Sequence, residues 1–161
     1  MASILKTDKI EGVTASGTVQ MPEGSVIQMQ TAKLQSLATI TATSFTDVGL
    51  SVSISPKFNT SKIFVITTAG SLNRKTDYIG LRILRDSTGI HHDYYYNSTT
   101  DYVGVTLNAC AVDTPSSNSS LTYKVQCKVS ATASETLLYY NYPGPSNTTY
   151  EATITVMEIA Q

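Results

Sequence analysis

Residues 50–69 read LSVSISPKFNTSKIFVITTA, and this stretch decides the fold class. Leu50, Val52 and Ile54 alternate with Ser51, Ser53 and Ser55, the two-residue period of a strand with one face in a core and the other in water. Pro56 stops that strand, because proline brings no N–H to a ladder, and opens the turn PKFNTSK. The run after the turn, from Ile63 to Thr68, is apolar on both faces. It therefore marks a central strand, covered on both sides within the chain or covered on one side by a neighbouring subunit.

Working outward, strands are predicted at 78–85, 102–112, 121–129, 136–142 and 150–159, and upstream at 25–30 and 38–45. The breaks between them (DSTG, YNSTTD, DTPSSNSS, SATASE, YPGPSNTT) are rich in residues that favour turns or satisfy their own backbone. No long stretch keeps apolar residues at helical spacing. About nine or ten short strands at regular intervals predict an all-β fold, an antiparallel jelly-roll-like sandwich.

The composition agrees. Charged residues are 14% of the chain, below the roughly 25% of an average domain, and Ser and Thr fill the deficit. A net charge of -1 with scattered Lys and Arg offers no basic stripe, so nucleic acid is not an expected partner. No segment approaches the ~18 continuous apolar residues of a membrane span. The opening MASILKTDKIEG lacks the order of a secretion signal, which predicts a soluble chain made in a cytoplasm.

Residues 1–21 differ from the rest. Ile4, Leu5, Ile10, Val13 and Val19 stand isolated among polar and charged neighbours and cannot build a core. They read either as a frayed terminus or as an extended arm that orders against a partner, with residues 22–161 forming the sandwich.

Candidate chemistry is sparse. His91 and His92 are adjacent, so on a strand they face opposite ways and cannot chelate one metal within a chain. Asp93 beside them adds no catalytic spacing, and no Gly-x-Ser-x-Gly elbow occurs. Paired carboxylates for glycoside cleavage meet only in space, and most of the 12 acids flank turns or lie in the arm. No enzyme, no cofactor and no metal are expected. Cys110 and Cys127 fail a facing test for a disulfide: alternation turns Cys127 to the core and Cys110 away from it. Four Asn-x-Ser/Thr sequons, at Asn59, Asn97, Asn118 and Asn147, read as loop residues.

Tyrosine is in excess, with 10 Tyr and no Trp. Tyr94, Tyr95, Tyr96 and Tyr102 form one cluster; Tyr139, Tyr140, Tyr142 and Tyr150 form another. A large apolar face with a polar tip suits a subunit interface or a stack on a sugar, and of the two the interface is favoured.

Three stretches carry a resemblance: the arm ASILKTDKIEGVTASGTVQMPEGSVIQ, the strand–turn–strand unit LSVSISPKFNTSKIFV and the ending ATITVMEIA. In these the chain resembles a family of small jelly-roll virion proteins of bacteriophages, seen in phages of cyanobacteria and marine bacteria. The resemblance implies a homotrimer resident in the virion. Two placements follow. One is a capsid decoration or cement protein bound to the major capsid protein on the outer head, which three arms per trimer would hold by multivalency. The alternative is a short tail fibre or receptor-binding tip, attached to a tail protein and reading host-surface glycans through the tyrosine-rich loops. The lack of a shaft or longer adaptor favours the head. A polysaccharide-degrading spike is the weakest fit.

Overall fold

A computed structural model describes residues 21–34, 36, 38–74, 77–97, 103–130, 135–138 and 151–161. Among them there is no helix, and ten strands form two antiparallel sheets. The strands are β1 (Val26–Leu34), β2 (Ala38–Ile40), β3 (Thr46–Ile54), β4 (Lys62–Arg74), β5 (Asp77–Arg85), β6 (Thr88–Asn97), β7 (Val103–Asp113), β8 (Leu121–Val129), β9 (Glu135–Leu138) and β10 (Ala152–Ile159).

The pairing is nested. β1 pairs with β10, β2 with β9, β3 with β8, β4 with β7 and β5 with β6, as though one long hairpin had been folded over. Lateral pairing of β10 with β4 and of β8 with β5 then rolls that hairpin into two sheets. The first runs β1-β10-β4-β7 and the second β3-β8-β5-β6, the double Greek-key order of a jelly roll. β9 continues the line of β10 along the same edge of β4, pairing Leu138 with Ser71 while Thr153 pairs with Thr68.

The core follows the alternation that the sequence announces. Leu50, Val52 and Ile54 are buried from β3, Ile63 and Val65 from β4, Ile79, Leu81 and Ile83 from β5, and Tyr123, Val125 and Cys127 from β8. Each fully buried large side chain stabilises the fold by about 1.5–3 kcal/mol. β3 carries two extra residues against β8 between Asp47 and Ser51. An even excess keeps its inward phase, and Gly49, at φ 80°, supplies the left-handed residue the bulge requires.

Three expectations need correction. β6 is a strand that the sequence reading passed over, because DSTG and YNSTTD bracket a run of His, Asp and Tyr without apolar alternation. It forms an edge by pairing with β5, and the bulge between Ile83 and Leu84 puts Ile90 against the core. The strand foreseen over 38–45 ends at Ile40, since residues 41–45 make no ladder. The strand foreseen over 25–30 runs on to Leu34, held throughout by β10.

Candidate interaction surfaces

Among the described residues, the inside of the sandwich holds two buried carboxyl groups, those of Glu158 and Asp113. Glu158 is fully buried at the end of β10, in the inward phase set by Ala152, Ile154 and Val156. Its Oε1 accepts hydrogen bonds from the Lys57 N–H (2.8 Å), the Phe58 N–H (3.2 Å) and the Ser61 hydroxyl (2.7 Å). Its Oε2 accepts one from the Gln28 amide at 2.6 Å. One carboxyl group thus fastens the turn after Pro56 to the first and last strands.

Asp113 does the equivalent at the end of β7. Arg85 Nη1 donates to both of its oxygens at 2.8 Å, and the buried Tyr123 hydroxyl donates to Oδ2 at 2.7 Å. This ties the first sheet to β5 and β8 of the second. Glu158 and Asp113 both pair in register with Ile63. An inner row Gln28, Glu158, Ile63, Asp113 therefore closes one end of the core. A fully buried isoleucine separates the two acids and each carboxyl is saturated by protein donors, so the pair offers a sugar no opening. Sequence reasoning missed both acids, although each sits on the core phase of its strand, after Leu107 and Ala109 in one case and Ile154 and Val156 in the other.

The histidines split as the alternation requires. His91 Nε2 lies 2.8 Å from Asp93 Oδ2 on the inner side of β6, and His92 is exposed on the outer side. Among the described residues no cluster of three metal-ligating side chains exists.

The cysteines are both free, Cys110 exposed and Cys127 buried. Burial pushes the Cys127 thiol up to about 12, and pushes the Tyr123 hydroxyl far above its usual range, with the bond to Asp113 adding to it. Both groups stay protonated in the fold, whereas in the unfolded chain they ionise near 9.0 and 10.0. The stabilisation is thus complete below pH 9 and is lost as pH rises from 9 towards 12, at about 1.4 kcal/mol per pH unit for Cys127. Melting temperatures from pH 8 to 11 should fall, and Cys127→Ala should delay the onset of the fall; an unchanged onset would remove Cys127 from the account.

Two outer faces remain. On the second sheet, Tyr78, Gly80 and Arg82 of β5 stand opposite Tyr96, Tyr94 and His92 of β6. Tyr94 is 51% exposed and Tyr96 75%. The Tyr78 and Tyr94 rings meet edge-on at 5.0 Å, His92 packs on Tyr94 at 4.6 Å and on Phe45 at 5.2 Å. Lys128 places its ammonium 5.2–5.5 Å from the Phe45, Tyr94 and Tyr78 rings, and the Arg82 guanidinium lies 4.4 Å over Phe45. Gly80 makes the corner possible: a Cβ there would meet Lys128, Tyr94 and Phe45 at 3.0–3.1 Å. Further along the face Asp47 receives Gln126 and Lys124, which hold its carboxyl below the usual range.

Tyr95 is separate from this corner. It turns inward, packs against the core and donates its hydroxyl to the Asn108 carbonyl, joining β6 to β7. Tyr102, Tyr139, Tyr140, Tyr142 and Tyr150, with the arm positions Ile4, Leu5, Ile10, Val13 and Val19, lie outside the described residues.

The outer face of the first sheet is different in kind. Met29, Met157, Phe64 and Val112 are in register across all four strands, forming one apolar row. Met29 is 58% exposed and Val112 65%. The adjoining row is Thr31, Thr155, Ile66 and Cys110, with Ile66 39% exposed. Of the two alternatives the sequence leaves for Ile63 to Thr68, cover from within the chain fails among the described residues.

No family model matches the chain, and no curated protein is similar to it. Among solved structures, the dimeric latent PorU of Porphyromonas gingivalis aligns over 88% of this chain at 11% identity and a TM-score of 0.41. The chain spans 14% of that structure's length, and the likeness is too slight to bear on function.

Proposed function

We propose that the protein is a non-enzymatic structural component of a bacteriophage particle, a homotrimer that decorates the outer head and clamps the major capsid protein. The virion reading rests on the three stretches of resemblance. Two of them meet at Glu158, which belongs to ATITVMEIA and bonds the turn of LSVSISPKFNTSKIFV, so what they share is a scaffold. The observation that carries an assembling role is the apolar row from Met29 to Val112, whose two end members no described residue covers, since a soluble domain rarely leaves such a row to water. Three arms per trimer give the head reading its mechanism, because modest contacts at each arm add to slow release.

The aromatic and cationic corner of the second sheet favours a second reading, a tail tip that holds host glycans. Ring faces for stacking and cationic donors for hydroxyl or carboxylate groups are the chemistry of such a site. Labelling on intact particles tests both. Signal over the whole head is the expected result. Signal confined to the tail transfers the function to the corner, where Tyr94→Ala should then weaken host-cell binding; particles without the protein overturn the virion reading.

A further inference from the structure

We infer that the aromatic and cationic corner of the second sheet binds a carboxylate-bearing saccharide, held by the Lys128 ammonium and the Arg82 guanidinium beside the exposed tyrosine rings. The inference rests on the second functional reading, that the corner holds a sugar, and names the class of sugar; it does not depend on where in a particle the protein sits.

The first ground is charge. Asp47, the acid nearest the corner among the described residues, is already paired with Lys124 at 3.0 Å. Arg82 donates Nε and Nη2 to the Gln126 carbonyl at 2.8 and 2.5 Å, and that partner is neutral. Lys128 has rings around its ammonium, Phe45 at 5.2 Å, Tyr94 at 5.4 Å and Tyr78 at 5.5 Å. Two cations thus meet at the Phe45 ring. Among the described residues neither has a carboxylate partner, and Arg82 Nη1 and the ammonium N–H groups have no acceptor. An anion bound at both fills these donors and relieves the repulsion between them.

The second ground is preorganisation. Asp47, Gln126, Arg82 and His92 are in register across all four strands. Asp47 Oδ1 accepts the Gln126 amide at 2.6 Å, which turns the Gln126 carbonyl to Arg82 and fixes the guanidinium. The Lys128 stem, Tyr94 and Phe45 close over Gly80. Both long cationic side chains are therefore ordered before a ligand arrives.

The third ground is the ring surface, which decides between anions. Tyr94 and Tyr96 are the exposed rings of the corner's edge strand, and the C–H face of a pyranose stacks on such rings. Nucleic acid requires a line of cations along its phosphates, whereas this corner has two, with Asp47 in the Arg82 row. A second copy of the same face would set like charges together. A neutral sugar would use the rings and leave both cations without a partner. A uronic acid supplies one carboxylate and one C–H face.

The experiment titrates the full chain with a galacturonate oligosaccharide, with its methyl ester, which keeps the rings and removes the charge, and with inorganic triphosphate. Binding is measured by calorimetry on wild type, Lys128→Met, Tyr96→Ala and Lys62→Met. Lys62 is exposed on the first sheet and controls for the loss of one positive charge. The Tyr96 side chain is exposed enough to be removed without unfolding the sheet, so it tests the location independently of Lys128. The expected result is that wild type binds the acid on the order of tenfold more tightly than the ester. Lys128→Met should lose that preference, Tyr96→Ala should weaken acid and ester alike, and Lys62→Met should match wild type. Equal binding of acid and ester overturns the inference and leaves the glycan reading standing. No binding of either at millimolar concentration overturns both. Triphosphate bound as tightly as the acid, or acid binding unchanged in Lys128→Met and Tyr96→Ala, also overturns the inference.

Discussion

Glu158→Ala should lower the free energy of unfolding by about 3–5 kcal/mol, a fall in melting temperature on the order of 10 °C for a chain of this size. The side chain is fully buried, and four donors converge on it: two backbone N–H groups, the Ser61 hydroxyl and the Gln28 amide. Removing the acceptor strands them, and each buried unsatisfied group costs about 1–3 kcal/mol. The turn and Gln28 lie near the rim and can recover water, which keeps the loss below the sum of four such terms. Glu158→Gln retains an oxygen for the turn but sets an amide NH2 against that of Gln28. Gln28 can answer by flipping its own amide only by giving up the bond that its nitrogen donates to the Ser55 carbonyl at 2.7 Å, so a loss of about 1–2 kcal/mol is expected. Urea denaturation of the three proteins measures the order. An alanine variant within about 1 kcal/mol of wild type would mean that the turn is held by its own residues and not by the last strand.

How the fold was legible follows from the same stretch. Residues 50–55 alternate cleanly because one face of β3 meets the core and the other meets water, and the pairing partner does not matter to that pattern. β4 was legible as central because apolar residues occupy both of its faces. β6 was not, since an edge strand has little core face to fill and its outer side bears His92, Tyr94 and Tyr96, whose spacing does not register as hydrophobic periodicity. The two cysteines were sorted correctly by phase alone, Cys127 inward and Cys110 outward.

The surfaces were less legible for a physical reason. Met29, Met157, Phe64 and Val112 are far apart in sequence, and only the ladder register makes them one row. The tyrosine run lies on β6 of the second sheet and supplies part of its aromatic corner. It could not show that Tyr95 faces inward while Tyr94 joins Phe45, Tyr78 and Lys128, because Phe45 and Lys128 arrive from outside the run. The buried acids were visible in principle, as polar residues on a core phase, but an acid at a strand end reads equally well as the start of a turn.

Asp113→Ala should cost about 2–4 kcal/mol, somewhat below the 3–5 kcal/mol of a fully buried pair, because the Arg85 side chain is 22% exposed and can turn to water. The Tyr123 hydroxyl has no such escape, since that residue is fully buried. Tyr123→Phe alone should cost about 1 kcal/mol, the net worth of one hydrogen bond. In the double variant the phenylalanine removes the hydroxyl that Asp113→Ala would strand, so the combined loss should fall short of the sum by about 1 kcal/mol or more. Additive losses would show that the two residues act separately. The cycle also bears on assembly, because Gln28, Glu158, Ile63 and Asp113 of the inner row are the sequence neighbours of Met29, Met157, Phe64 and Val112 of the outer one. Each inner clasp fixes the backbone that presents one outer side chain, so under the proposed assembling role of the outer row Asp113→Ala should weaken self-association as well as the fold. Raising the protein concentration should then restore part of the lost stability by mass action, and a loss independent of concentration would separate the clasp from the interface.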